Sequence, residues 1–234
     1  VAALPLPVLL VGGSASAAPQ THTYEVTITN RTLGQPFSPP VVVAHDPSIS
    51  LFDVGQPASA PIAAIAQAGN SAPLEQALAP LLQPGGPVTG AVTGSPSRSL
   101  LAEVGPPSVQ TVTVEGAPGD VLSLAAMLIC TNDGFTGVDS VALPEQGSAT
   151  YALGAYDAGV ERNTQRSEDI VDPCSAIGPV ALPGDPDGNR DDADVLEPRP
   201  KQVRPHTTVT GRGDLDPVHD WRGPVGVVQI TRVG

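Results

Sequence analysis

The strictest constraint on how this chain folds is the decapeptide Thr21–Asn30, THTYEVTITN. There Tyr24, Val26 and Ile28 alternate with Thr23, Glu25, Thr27 and Thr29. A period of two sends successive side chains to opposite faces, so the segment reads as a strand with one face buried and one in water. Further strand candidates follow at Val41–His45, Ser99–Val104, Ser108–Glu115, Val121–Cys130, Ala149–Tyr156 and Val225–Val233. Clusters of Gly, Pro, Asn and Asp, the residues that reverse a chain, separate most of them. Val121–Cys130 is nearly all apolar and is expected at the centre of a sheet, buried on both faces. Many short strands with turn-rich connections predict an all-β fold, an antiparallel β-sandwich.

One interruption reads as a short helical insertion. Ser59 offers an N-cap, Pro61 an early proline, and Gly69 a stop after IAAIAQA. Ser71 then opens a second short helix, Ala72–Ala79, ended by Pro80, and Leu82–Ser97 reads as loop. The segment Asp157–Asp220 holds 14 of the 24 acidic residues and few apolar runs. It is expected as a long loop region over the sandwich, because the chain must return for its last strand.

Residues 1–17, VAALPLPVLLVGGSASA, carry an apolar run and an Ala15-Ser16-Ala17 site, the pattern of a secretory signal peptide. The run falls short of the ~20 apolar residues of a membrane span. Residues 18–234 are then expected to form a single exported domain. Cys130 and Cys174 are an even pair, and in an oxidising compartment they are expected to form a disulfide. The four histidines show no metal-ligand spacing in sequence. A formal charge of −13 argues against nucleic acid and anionic membranes as partners, since both demand a basic face.

Two acidic clusters sit at strand ends. Asn132-Asp133-Gly134 follows the most apolar strand, and in Asp157-Ala-Gly-Val-Glu161 the glycine can fold both acids toward one point. Loops of this kind converging at one end of a sandwich supply the hard, anionic oxygens that calcium requires. A third cluster, Gly184–Asp194, places Asp185, Asp187, Asn189 and Asp191 at alternate positions, but its glycine is misplaced and it lacks the closing glutamate of a calcium loop. It reads as a solvated acidic loop. Arg212-Gly213-Asp214 reads as part of a turn before the last strand. No G-x-S-x-G motif occurs, and 3% aromatic content leaves little for a sugar-stacking platform. A non-enzymatic role is therefore expected.

Several segments together resemble the spondin domain, the module also found near the N-terminus of F-spondin. They are Phe52–Ser59, Ser95–Leu100, Asn132–Asp139, Asp157–Glu161, Gly211–Pro217 and Asp220–Pro224, of which the middle motifs are the most specific because they occur in the family's order. The resemblance runs from about Tyr24 to Val233. It implies a C2-like antiparallel sandwich with calcium held by loops at one end, its ligands falling on Asp133, Asp157 and Glu161. The last position departs from the aspartate of the animal form, and Gly134 stands where that form has tryptophan. The expected function is a secreted calcium-binding module for adhesion or recognition at the cell envelope or in the extracellular matrix, its partner a protein or glycan. The rival expectation is a secreted hydrolase that uses the same acidic end.

Overall fold

A computed structural model describes residues 20–96, 108–171, 174, 195–211 and 213–234. The signal-peptide pattern at 1–17, the strand expected at Ser99–Val104, the acidic loop at 184–194 and Arg212 lie outside the described residues. Among the described residues nine strands form: β1 His22–Asn30, β2 Val41–His45, β3 Val88–Thr93, β4 Ser108–Gly116, β5 Val121–Met127, β6 Gly134–Ala142, β7 Ser148–Asp157, β8 Arg204–Pro205 and β9 Gly226–Arg232. Every pairing is antiparallel, in the order β3-β2-β5-β6-β7-β9-β1-β4, with β8 added beside β7.

Strand β7 makes this one folded-over sheet. Ser148–Leu153 pair with β9, whereas Gly154–Asp157 pair with β6, so the strand turns the corner between two layers. The alternation in β1 does what its period demands: Tyr24, Val26 and Ile28 enter the space between the layers. There they meet Val42 and Ala44 of β2, Leu122, Leu124 and Ala126 of β5, and Val228 and Ile230 of β9. The other faces of β2 and β5, through Val41, Val43 and Ala125, pack against helices α1 (Ala60–Ala68) and α2 (Ala72–Leu78). The central apolar strand is thus buried on both faces, as its composition predicts.

Helix α1 begins and ends where its sequence signals stand. The Ser59 side chain accepts from the Ile62 amide, and Gly69 closes the helix at φ 61°, a left-handed conformation that glycine adopts without steric cost. Helix α2 is opened differently from expectation. The side chain that accepts its first amide, from Ala72, belongs to Asn70, while the Ser71 hydroxyl turns to Glu75. Three strands correct the sequence reading: Val88–Thr93 is β3 and Arg204–Pro205 is β8 where loop is expected, and Gly134–Ala142 is β6, a segment outside the strand candidates.

Candidate metal centre

Strand β5 leaves the sheet after Met127, and the chain re-enters as β6 at Gly134. Thr131 sets this turn, its hydroxyl donating to the Leu128 carbonyl and accepting from the Gly134 amide. Gly134 pairs in register with Asp157 at the end of β7, so Asp133 and Asp157 leave neighbouring strands side by side. Asp133 then draws in the third acid. Its Oδ2 accepts from the amides of Val160 (2.7 Å) and Glu161 (2.9 Å), and its backbone carbonyl accepts from Ala158 (3.0 Å). The loop after β7 is folded back onto β6 by these three bonds. Asp133, Asp157 and Glu161 consequently converge at one end of the sandwich, none more than 1% exposed.

Each carboxylate is held differently. Asp157 accepts at Oδ1 from the Gly159 amide (2.8 Å) and at Oδ2 from Arg204 Nη2 (2.7 Å) and Nε (3.2 Å). Glu161 Oε1 accepts from Gln67 Nε2 (2.8 Å), at the C-terminal end of α1. Asp133 Oδ1 is buried with no hydrogen-bond donor. Burial and the neighbouring Asp157 push the Asp133 carboxyl up to about 6, against the pull of its two amide donors and of Arg204. Arg204 is one cation acting on two carboxylates, and their pull raises its own pKa. His206 lies in the same field. Burial presses its pKa down to about 4 although Asp157 opposes this, and its ring lies tilted against Trp221, with centroids 5.1 Å apart.

An orphaned anionic oxygen in a dry site fits a hard cation. The three carboxylates do not, however, bring one oxygen each within 4.8 Å of one another. Among the described residues the set that meets this separation is Cys130, Cys174 and His219. The two sulfurs are joined as the expected disulfide. A cation at the acidic end therefore needs some rearrangement of the side chains around Asp133.

The pH dependence of stability follows from these shifts. A raised Asp133 pKa favours the folded state below about 4, and this contribution disappears as pH rises through about 6. The lowered pKa values of His206 and His219 act oppositely, so their contribution disappears as pH falls below the ordinary histidine value. Asp133→Asn removes the first effect and keeps the second. In denaturant titrations without added metal, the variant is expected to lose stability on acidification from pH 7 to 4 more steeply than wild type, by roughly 2 kcal/mol. Parallel profiles would show that Asp133 ionises as freely as an exposed aspartate.

Arg204 and Gln67 escaped the sequence reading for a simple reason. They lie 47 residues from Asp157 and 94 from Glu161, and no local pattern links them. Nor does the Arg212-Gly213-Asp214 tripeptide present a free aspartate. The Asp214 carboxylate accepts from the amide and hydroxyl of Ser167, and its own amide donates to the Gln165 carbonyl. Its role is to tie two loops together. Asp139, at the far end of the Asn132–Asp139 motif, is also structural: its Oδ1 accepts from the Leu51 amide and the Ser123 hydroxyl.

A comparison with curated proteins finds no match. The Spondin_N family model matches residues 19–172, which span β1 to β7 and all three carboxylates, and stops short of the closing motifs at 211–224. With the match covering more than half of the sequence, and a folded-over antiparallel sheet carrying a Cys130–Cys174 bridge, the chain belongs to the Spondin_N family.

Proposed function

We propose that the protein is an exported, non-enzymatic recognition module in which calcium, held by Asp133, Asp157 and Glu161, fixes the loops at one end of the sandwich. The observation that carries this reading is Asp133 Oδ1, an enclosed carboxylate oxygen without a donor, beside a second buried carboxylate. Uncompensated, such a pair is unfavourable, and a bound cation converts it into the anchor of the loop. Calcium suits the donor set because it takes six to eight oxygens in flexible geometry, with carbonyls and waters completing the shell. The disulfide and family membership support a place outside the cell, and no helix among the described residues is long and apolar enough to cross a membrane. Adhesion to a protein or glycan at the envelope or in the matrix is the function such a rigid loop end serves. A hydrolase needs a cleft over its carboxylates. Three cavities among the described residues, of about 710, 410 and 250 Å³, are lined by other residues, such as Asp46, Asp120 and Glu75.

Thermal unfolding with excess calcium and then with chelator tests the proposal. At calcium a hundredfold above its dissociation constant, the folded state is expected to gain about 2.7 kcal/mol, or ~5–11 °C. Asp157→Ala should abolish the gain. Equal melting temperatures with calcium and chelator would remove the metal and leave only the β-rich module.

A further inference from the structure

We propose that Cys130, Cys174 and His219 form a second, redox-gated metal site, closed while the disulfide is intact and able to take zinc once it is reduced. One ligand atom from each residue lies within 4.8 Å of the other two, and all three residues are fully enclosed. His219 is the unusual member. It is 0% exposed, neither ring nitrogen makes a hydrogen bond of good geometry, and the one polar group that acts on the ring as a partner is the Asp216 backbone, an acceptor that leaves the second nitrogen's lone pair unused. An imidazole placed so has a lone pair and no partner for it except the sulfurs beside it.

The arrangement does not depend on the sulfur–sulfur bond. Gln35, itself fully buried, holds two of the three ligands by their backbones. Its Oε1 accepts from the Cys130 amide (3.1 Å), and its Nε2 donates to the carbonyls of Cys130 (2.9 Å) and His219 (3.0 Å). Cleaving the bridge therefore leaves Cys130 and His219 clamped together. Zinc binds thiolate sulfur at ~2.3 Å and imidazole nitrogen at ~2.0–2.1 Å, which at tetrahedral angles places these ligand atoms roughly 3.5–3.8 Å apart. A covalent bridge holds its two sulfurs closer than that, so reduction lets them separate into that range. Two thiolates and one imidazole leave the fourth zinc position to water. The surrounding wall of Met127, Ile129, Ile170 and Leu215 adds no hard oxygen, which sets this soft site apart from the carboxylate end.

The chemistry balances with a dithiol as reductant. Two electrons and two protons pass to the disulfide, whose bond breaks to give two thiols, and the dithiol leaves as its own disulfide. Zinc then displaces both thiol protons to solvent and accepts the lone pair of neutral His219.

The full chain is to be reduced with a dithiol, freed of it without oxygen, and titrated with zinc against a chromophoric chelator. One zinc per reduced chain is expected, with both thiols shielded from alkylation, and none at this affinity in the oxidised chain. His219→Ala should weaken binding at least tenfold, and His219→Gln, closer in size, should do the same. In reduced wild type the His219 ring-proton resonances should move on zinc addition, a readout that needs no variant to fold. The site is refuted if the reduced chain takes no zinc, if oxidised and reduced chains take it equally, or if those resonances stay in place.

Discussion

Replacing Cys130 and Cys174 together by alanine is expected to lower stability by about 4 kcal/mol, the chain-entropy value for a loop closed over a sequence separation of 44. For a chain of this size that corresponds to a fall of ~8–16 °C in melting temperature. The effect acts on the unfolded chain, whose ends the bridge holds together, so little change is expected in the folded architecture. The location matters as much as the size. The closed loop contains β6, β7 and all three acidic residues, so the bridge restrains the segment that must assemble the candidate centre. Calorimetry on the double variant, with wild type oxidised and reduced, gives the number. Reduced wild type should match the variant without zinc and recover part of the loss with it. If the variant melts within two or three degrees of oxidised wild type, the loop is already restrained in the unfolded chain and the bridge is not a principal staple. A loss of this size still leaves most proteins, at 5–15 kcal/mol in total, folded at low temperature, as the zinc proposal requires.

Most of the sheet was legible because burial wrote itself into the sequence. Strand β1 faces water on one side and alternates; β5 faces apolar layers on both and does not. Of the three strands that escaped, β8 is only two residues long, and β3 and β6 are those where packing demanded residues that ordinarily signal turns. In β6, a side chain at Gly137 would stand 2.0 Å from the Leu124 carbonyl, so close approach at the irregular register of β5 demands glycine there. In β3, VTGAVT offers Val88 and Val92 as its larger apolar side chains, and glycine and threonine blur the period between them. The acidic site divides along the same line. Asp133, Asp157 and Glu161 could be found because strand ends bring them together from within 28 residues of sequence. Arg204, Gln67 and the cluster of His219 with the disulfide are joined only by tertiary folding. Sequence spacing among the histidines carried no sign of a ligand set, since the partners of His219 are the two cysteines brought beside it from distant parts of the chain.

Phe135→Ala should be comparably damaging and should reach the function as well. The ring is fully buried, edge-on to Phe52 at 5.0 Å and 88°, and 5.4 Å from Tyr156, its cross-strand partner. Removing it deletes apolar contact and leaves a cavity, for an expected loss of 3–5 kcal/mol, or ~6–20 °C. Phe135 follows Gly134, and Tyr156 precedes Asp157, so this aromatic cluster seats the strand ends from which two of the carboxylates project. Loosening it should therefore also weaken the calcium response. Leu124→Ala separates the two effects. Leu124 lies between the sheet layers, on the opposite face of β5 from the helices, and its loss should cost 2–5 kcal/mol while leaving the strand ends in place. The expected pattern is two destabilised variants of which only Leu124→Ala keeps the wild-type shift in melting temperature with calcium. If both keep it, Asp133 and its hydrogen bonds position the loop unaided, and the aromatic cluster is core alone.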